Sequence, residues 1–336
     1  MLRLMVATPA ALACAAASVL ALTACTGGSS PPAGSTTGSP SVTATSALGV
    51  VDAQAVGRAM TSEATLAAAV RADLDRFGRC VSVLRPVAMA LDAHVVALQR
   101  ATSSSEGPPL VTTPPPAVTP AAALRHAVAG LRVAAVTTSR QVVGQRAPVT
   151  GPVAGLLGSV AASDTALAAV VGGGTAGPGV AGPRVTPSVG SSLGALQTAL
   201  AGEYAAIYAY GVVGGQLAAH AAPTSQLDRA RAGLDVHSAR RDQLIVMIQA
   251  AGGAADPGAG GYALPFPVAS AASARRLAAL VEARCAGNYA QVVVGSVPAS
   301  SRGASLAWLR DAAVQQSAWT GVAPVLPGLQ QPPPTP

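Results

Sequence analysis

The stretch Leu193–Leu217, LGALQTALAGEYAAIYAYGVVGGQL, decides the fold, because its apolar residues recur every three or four positions, as on one face of an α-helix. A single carboxylate, Glu203, interrupts that apolar face. The spacing therefore predicts a long amphipathic helix that directs an acid toward its packing partners. The predicted inward face consists of Leu193, Leu196, Leu200, Glu203, Ile207, Tyr210, Gly214 and Leu217.

Three further amphipathic helices are predicted after it. The second begins at Pro223 and ends before Gly252, the third covers about residues 269–297 and the fourth about residues 301–321. Their inward faces carry His237 and Arg241 on the second helix, Glu282 on the third and Asp311 on the fourth. The predicted inward face of the fourth helix also includes Ala304, Ala307, Val314 and Ala318. Residues 193–323 are therefore predicted to form an antiparallel four-helix bundle with an ionisable group on every helix.

The first half of the chain repeats this scheme. A glutamate, a histidine and an aspartate again interrupt apolar helical faces, 140, 143 and 147 residues before their second-half counterparts. These residues are Glu63, His94 and Asp164. The sequence therefore predicts an all-α protein of two tandem antiparallel four-helix bundles, at residues 48–171 and 193–323.

Composition marks the remaining segments. An apolar run follows Arg3 and ends at Leu22-Thr-Ala-Cys25, as in a lipoprotein signal whose cysteine is acylated before cleavage. We therefore predict a lipid on Cys25 that holds the protein to the extracytoplasmic face of the cell membrane; a plain transmembrane helix is the alternative. The other predicted segments are a signal peptide at 1–24, a disordered tether at 25–47, a Gly/Pro linker at 172–192 and a proline-rich tail at 324–336.

Three motifs of the second half add a family resemblance. They are Glu203-Tyr-Ala-Ala-Ile-Tyr-Ala-Tyr-Gly211, His237-x-x-Arg-Arg-Asp242 and Tyr262-Ala-Leu-Pro-Phe-Pro267. With the helical faces above, they resemble the ferritin-like superfamily, and in particular the ferritin-like domain of actinobacterial lipoproteins. The resemblance implies ferritin-like bundles, more clearly over residues 193–323 than over residues 50–171.

The resemblance also implies a metal centre that is partly lost. Di-iron members carry Glu-x-x-His on the second and fourth helices. Here Leu234 stands at the acid position of the second helix and Val314 at the histidine position of the fourth. In the first copy, Leu91 and Leu167 occupy the same two positions. The remaining ligand candidates are Glu203, His237, Glu282 and Asp311 in the second bundle and Glu63, His94 and Asp164 in the first. We therefore expect no two-metal oxidation centre in either copy.

Three interpretations of the inward acids stay open. A buried, unpaired carboxylate is costly, so each acid needs a partner. In the first interpretation, Arg240 or Arg241, one helical turn after His237, replaces the metal with ion pairs. In the second, the residual ligands hold one iron, manganese or zinc ion. In the third, the helical register differs and these groups face solvent.

Two cysteines remain in the predicted bundles, Cys80 and Cys285. Outside the cytoplasm they could form a disulfide between the two halves; the alternative is two separate buried thiols. Neither belongs to a Cys-x-x-Cys motif, so the cysteines predict neither a zinc site nor a redox site.

Composition and motifs narrow the function. All 21 positive charges are arginines, and they are scattered rather than clustered, so we expect no nucleic acid partner. The sequence contains no phosphate-loop or His-Glu-x-x-His motif, and we expect no catalytic residues. The predicted function is a lipid-anchored, non-catalytic binding or structural module of the cell envelope, with an envelope protein as a candidate partner. The alternative is a metal-dependent oxidase or metal-storage protein that uses the second bundle.

Overall fold

Alanine-rich segments bounded by Gly, Pro and Ser form the helices of the structure. This computed structural model describes residues 48–102, 109–144, 148–173, 179, 192–296 and 298–329. These residues form no β-strand, which confirms the all-α prediction. The described elements are α1 (Val50–Phe77), a 3-10 helix (Gly78–Leu84), α2 (Arg85–Thr102), α3 (Pro120–Val143), α4 (Gly151–Val171), α5 (Leu193–Ala219), α6 (Thr224–Ala250), α7 (Ala271–Gly295) and α8 (Ala299–Thr320).

Local side-chain chemistry sets several helix ends. Thr119 precedes α3 and accepts a hydrogen bond from the Ala122 amide, while Pro occupies the first turn. Ser270 and Ser273 form a reciprocal capping box at the start of α7. Gly321 ends α8 with a φ of 79°, a left-handed conformation that favours glycine. The observed bounds of α6, α7 and α8 agree with the predicted ones to within about two residues.

The helices contact one another in two sets and then across the sets. In the first half (residues 48–173), α1 packs on α2 and α3, and α4 packs on α3 and α2. In the second half (residues 192–329), α5 packs on α6 and α7, and α7 packs on α8. α4 also contacts α7 and α8, and one apolar core contains residues from both halves, such as Val56, Leu157 and Leu309.

The central position of α4 explains its composition. Nearly every residue from Val153 to Ala168 is buried, because α3, α7 and α8 surround the helix. Two helical stretches, Val50–Thr102 and Gly151–Val171, are long and apolar enough to cross a membrane, but 78% of the apolar window in the second stretch is buried within the protein. α4 therefore has the features of a core helix.

Several predicted details differ from the structure. Leu193, predicted on the inward face of α5, is exposed at the start of that helix. The inward face of α8 was predicted one position away from the observed one: Trp308, Ala312 and Trp319 are buried, whereas Val314 and Ala318 are only half-buried. α8 packs on both α7 and α4, and its buried surface is therefore wider than one stripe. The start of the predicted proline-rich tail is also packed, with Pro327 buried. The predicted signal peptide and tether, most of the linker and residues 330–336 lie outside the described residues.

Candidate functional site

A buried cluster in the second half, the second cluster, brings together the ionisable residues of α5, α6, α7 and α8. Its members are Glu203, His237, Arg240, Glu282 and Asp311, with Tyr210, Tyr289 and Cys285 beside them. The imidazole of His237 is central: its Nδ1 lies 2.7 Å from Glu203 Oε2 and its Nε2 lies 3.5 Å from Glu282 Oε1. The interpretation that these groups face solvent is therefore wrong for Glu203, His237 and Glu282, each at most 1% exposed.

Two tyrosines complete the hydrogen bonding of the carboxylates. The Tyr289 hydroxyl donates to Glu203 Oε1 at 2.5 Å, and the Tyr210 hydroxyl donates to Glu282 Oε1 at 2.5 Å. Trp319 Nε1 in turn donates to the Tyr210 hydroxyl at 3.2 Å. Burial, and then the negative charge of Glu282, raise the pKa of Tyr210, so its hydroxyl keeps its proton and acts as a donor.

Arg240 brings a permanent positive charge into this cluster. Its side chain is fully buried, donates to Asp311 Oδ2 at 2.5 Å and to the Tyr289 hydroxyl at 3.2 Å, and lies over the Tyr289 ring. Arg241 instead lies at the surface and pairs with its neighbour Asp242. Of the two predicted ion-pair candidates, the structure places only Arg240 among the acids.

The cluster carries its own cations. Burial alone would lower the pKa of His237, but the charges and hydrogen bonds of Glu203 and Glu282 outweigh it and raise that pKa to about 9. His237 is therefore an imidazolium at neutral pH. Three carboxylates, those of Glu203, Glu282 and Asp311, thus face two cations, His237 and Arg240.

A metal ion fits this cluster poorly. Glu203, His237 and Cys285 place three potential ligand atoms within 4.8 Å of one another. Metal binding requires a neutral imidazole and a thiolate, however, and burial followed by the charges of Glu203 and Glu282 raises the pKa of Cys285. His237 and Cys285 therefore both hold protons where a metal would need lone pairs.

The first half contains a smaller buried cluster, the first cluster, made of Glu63, His94 and Asp164, which are all 0% exposed. His94 Nδ1 lies 2.8 Å from Glu63 Oε2 and 3.7 Å from Asp164 Oδ1. His94 Nε2 lies 2.8 Å from the carbonyl oxygen of Val325, in the C-terminal segment that follows α8. Because a carbonyl only accepts hydrogen bonds, Nε2 carries a hydrogen and Nδ1 faces the two acids.

The first cluster lacks an internal arginine and leaves carboxylate oxygens without donors. Within the described residues, Glu63 Oε1 and both oxygens of Asp164 are buried and accept no hydrogen bond from a donor group. Burial and then the charge of the neighbouring Glu63 raise the pKa of Asp164. A cation placed beside His94 Nδ1 would meet carboxylate oxygens that accept no hydrogen bond.

Sequence reasoning missed several of these contacts. Tyr210 was placed on an inward helical face, but its partner and that of Tyr289 depend on side-chain direction, which spacing does not give. No local signal connects Val325 to His94, which lies 231 residues earlier. Both predicted disulfide partners have free thiols: Cys285 is buried in the second half and Cys80 is exposed on the 3-10 helix. The disulfide alternative is therefore not what the structure contains.

The described residues thus define an all-α helical protein with two buried ionisable clusters. Residues 195–331 match the family described as "Domain of unknown function (DUF4439)", so the second half of the chain carries a DUF4439 domain. Among solved structures, the chain matches a conserved hypothetical protein, rv2844, from Mycobacterium tuberculosis. The sequence identity is 37%, the match covers 38% of this chain and 92% of that chain, and the TM-score is 0.36. The search of curated proteins gave no match.

Proposed function

We propose that this protein is a lipid-anchored, non-catalytic binding or structural module of the cell envelope, built from two ferritin-like bundles. In the second bundle, an internal ion-pair network has replaced the metal centre. The contacts of α1 with α2 and α3, and of α5 with α6 and α7, support the bundle arrangement. The DUF4439 match supports the assignment of residues 195–331 to one domain.

The position of Arg240 carries this proposal. A guanidinium cannot be deprotonated in a protein, so Arg240 keeps its positive charge inside the second cluster. Burial alone would lower its pKa, but Tyr289, Asp311 and the two glutamates outweigh that effect and raise it. A divalent ion at Glu203 would have to displace the proton of His237 and sit beside this second cation. The donor set therefore favours a metal-free role for the second cluster.

A specific observation favours one further candidate function, the binding of a single divalent cation in the first cluster. The orphaned oxygens of Glu63 and Asp164 and the Nδ1 of His94 form a nitrogen and oxygen ligand set, which suits iron, manganese or zinc. The hydrogen bond from His94 Nε2 to the Val325 carbonyl is the kind of contact that orients a metal-ligating histidine. One ion there would bind in the half of the chain outside the matched domain.

Elemental analysis of the purified full chain tests both statements. We expect either no bound metal or one ion per chain, and any ion should be lost in Glu63→Gln and retained in Glu203→Gln. These substitutions alter equivalent, fully buried glutamates, so each is the matched control for the other. Metal that is lost in Glu203→Gln and retained in Glu63→Gln would contradict the metal-free second cluster.

The lipid anchor is tested separately. We expect the mature protein to carry a diacylglycerol on Cys25 and to partition into detergent. Cys25→Ala should keep the uncleaved N-terminus and lose the acyl mass, as measured by intact-mass spectrometry. An unmodified Cys25 in a membrane-bound protein would instead indicate a transmembrane anchor.

A further inference from the structure

A groove of about 380 Å³ lies where α3, α4 and α8 meet, between the two halves of the chain. Five of its lining residues are apolar, three are polar, and none is acidic. The polar ones are Arg132, Thr165 and Arg310; the apolar ones are Ala135, Val136, Ala168, Ala169 and Val314. Two cations thus line one small groove without an acid in its walls.

Arg310 is held in a fixed position at this groove. Its Nε–H donates to Thr165 Oγ1 at 2.9 Å, and the Thr165 hydroxyl donates its own hydrogen to the Ala161 carbonyl at 2.7 Å. A guanidinium has five N–H donors, so four remain after the bond to Thr165. Burial lowers the pKa of Arg310, while the charge of Asp164 acts in the opposite direction, so the groove is a partly desolvated place for a cation.

The positive charge of the groove is not balanced by an ion pair. In the described part of the chain, the arginines that pair with acids are Arg71, Arg231, Arg240 and Arg241. Arg132 and Arg310 are absent from these pairs, although one lies on α3 and the other on α8. Two like charges at one groove repel each other, and an anion between them would convert that repulsion into two attractions.

We propose that this groove binds an oxyanion of the phosphate type, held between the guanidinium groups of Arg132 and Arg310. Arginine suits such a ligand because its planar fork donates two parallel hydrogen bonds to phosphate oxygens. Thr165 is a positioning residue, since its only hydrogen is already donated to the backbone. The ligand can be free phosphate or the phosphate of a lipid headgroup, because both present the same oxygens.

Thermal unfolding of the full-length Cys25→Ala chain, which removes the acyl chain, tests the site. We expect sodium phosphate to raise the Tm more than sodium chloride of equal ionic strength, because a ligand that binds only the folded state stabilises it. Equilibrium dialysis with radiolabelled inorganic phosphate then gives the affinity. Loss of one charge-assisted contact should weaken phosphate binding by about tenfold or more in Arg132→Gln and in Arg310→Gln.

Arg125→Gln is the matched control, because Arg125 is exposed on the same helix as Arg132 but does not line the groove. Since Arg310 is half-buried and its loss can impair folding, the exposed Arg132 provides the decisive variant. Equal Tm shifts in phosphate and chloride, or unchanged phosphate binding in Arg132→Gln, would exclude free phosphate as the ligand. The proposal would then depend on the binding of a lipid headgroup.

Sedimentation with vesicles identifies the source of the phosphate group. Binding to phosphatidylcholine vesicles that contain phosphatidic acid, with loss of that binding in Arg132→Gln, would support a lipid headgroup. A phosphate-specific Tm shift without vesicle binding would support a free phosphate. If neither assay depends on Arg132, the groove binds no oxyanion and the inference is wrong.

Discussion

At the scale of single residues, Arg240 places a permanent positive charge among the acids of the second cluster. The sequence offered two adjacent arginines, and spacing placed Arg241 on the inward face of its helix, whereas the structure buries Arg240 instead. A helix turns by about 100° per residue, so His237, Arg240 and Leu244 share the buried face while Arg241 lies at its edge. The packing of α6 on α5 therefore decides which arginine lies among the acids.

Arg240→Met should destabilise the protein strongly. The substitution keeps a long side chain but leaves Asp311 and the two glutamates with one cation fewer, and breaking a buried ion pair typically costs about 3–5 kcal/mol. Arg241→Met is the matched control and should cost less than about 1 kcal/mol, because its pair with Asp242 is largely exposed. Urea denaturation measures both variants, and equal losses would contradict the central role of Arg240.

His237 should make stability depend on pH. Its folded pKa of about 9 lies above its ordinary value of 6.5, so its contribution is fully present below about pH 6.5 and is lost as pH rises through about 9. We expect the free energy of unfolding to fall across this window in urea titrations. His237→Gln should flatten the fall, whereas His220→Gln, at an exposed position, should leave it unchanged.

At the scale of helices and segments, sequence periodicity predicted most of the elements but fewer of their faces. On α7, Glu282 was correctly predicted to point inward, and Cys285 and Tyr289 are buried on the same helix. α8 was misplaced by one position because it packs on two helices and buries a wider arc, including Trp308 and Trp319.

The C-terminal segment shows the other limit of sequence reasoning, since its composition predicted only a proline-rich tail at 324–336. Val325 instead accepts the hydrogen bond of His94, Pro324 accepts one from Ser163, and Gly328 lies against Ala286 of α7. Proline lacks a backbone donor but keeps its carbonyl acceptor, so a proline-rich segment can still bind buried donors. The segment therefore links the two halves, which composition alone could not indicate.

Truncation tests this link. A chain that ends at Gly321 should be less stable than the full chain by at least about 1–3 kcal/mol, because the buried His94 Nε2–H loses its acceptor. A chain that ends at Leu329 removes only residues 330–336 and should unfold like the full chain. Urea denaturation distinguishes them; a silent truncation at Gly321 would contradict a structural role for residues 322–329.

At the scale of the whole molecule, the two halves are held together by the close approach of α4 and α7. Glycines on α4 permit this contact: a Cβ on Gly151 would lie 2.4 Å from the Val294 carbonyl oxygen, and one on Gly155 would lie 2.7 Å from the Val294 side chain. The duplicated motifs predicted two tandem bundles, whereas the structure has one core with residues from both halves. Such a core needs small residues where α4 and α7 cross. The sequence contains 36 glycines, so the few at this crossing could not be recognised from the sequence.

Gly151→Ala should therefore weaken the contact between the halves. A backbone atom cannot move aside as a flexible side chain can, so the added methyl should push α4 from α7 and cost about 1–3 kcal/mol, as overpacking usually does. Gly57→Ala is the matched control: nothing lies within 4 Å of a Cβ there, and alanine favours the helix by up to about 1 kcal/mol.

Because one core spans both halves, each variant should still unfold in a single calorimetric transition, at a lower Tm for Gly151→Ala and a higher Tm for Gly57→Ala. Two separate transitions in the unmodified chain would show instead that the halves fold independently and that the α4 and α7 contact contributes little.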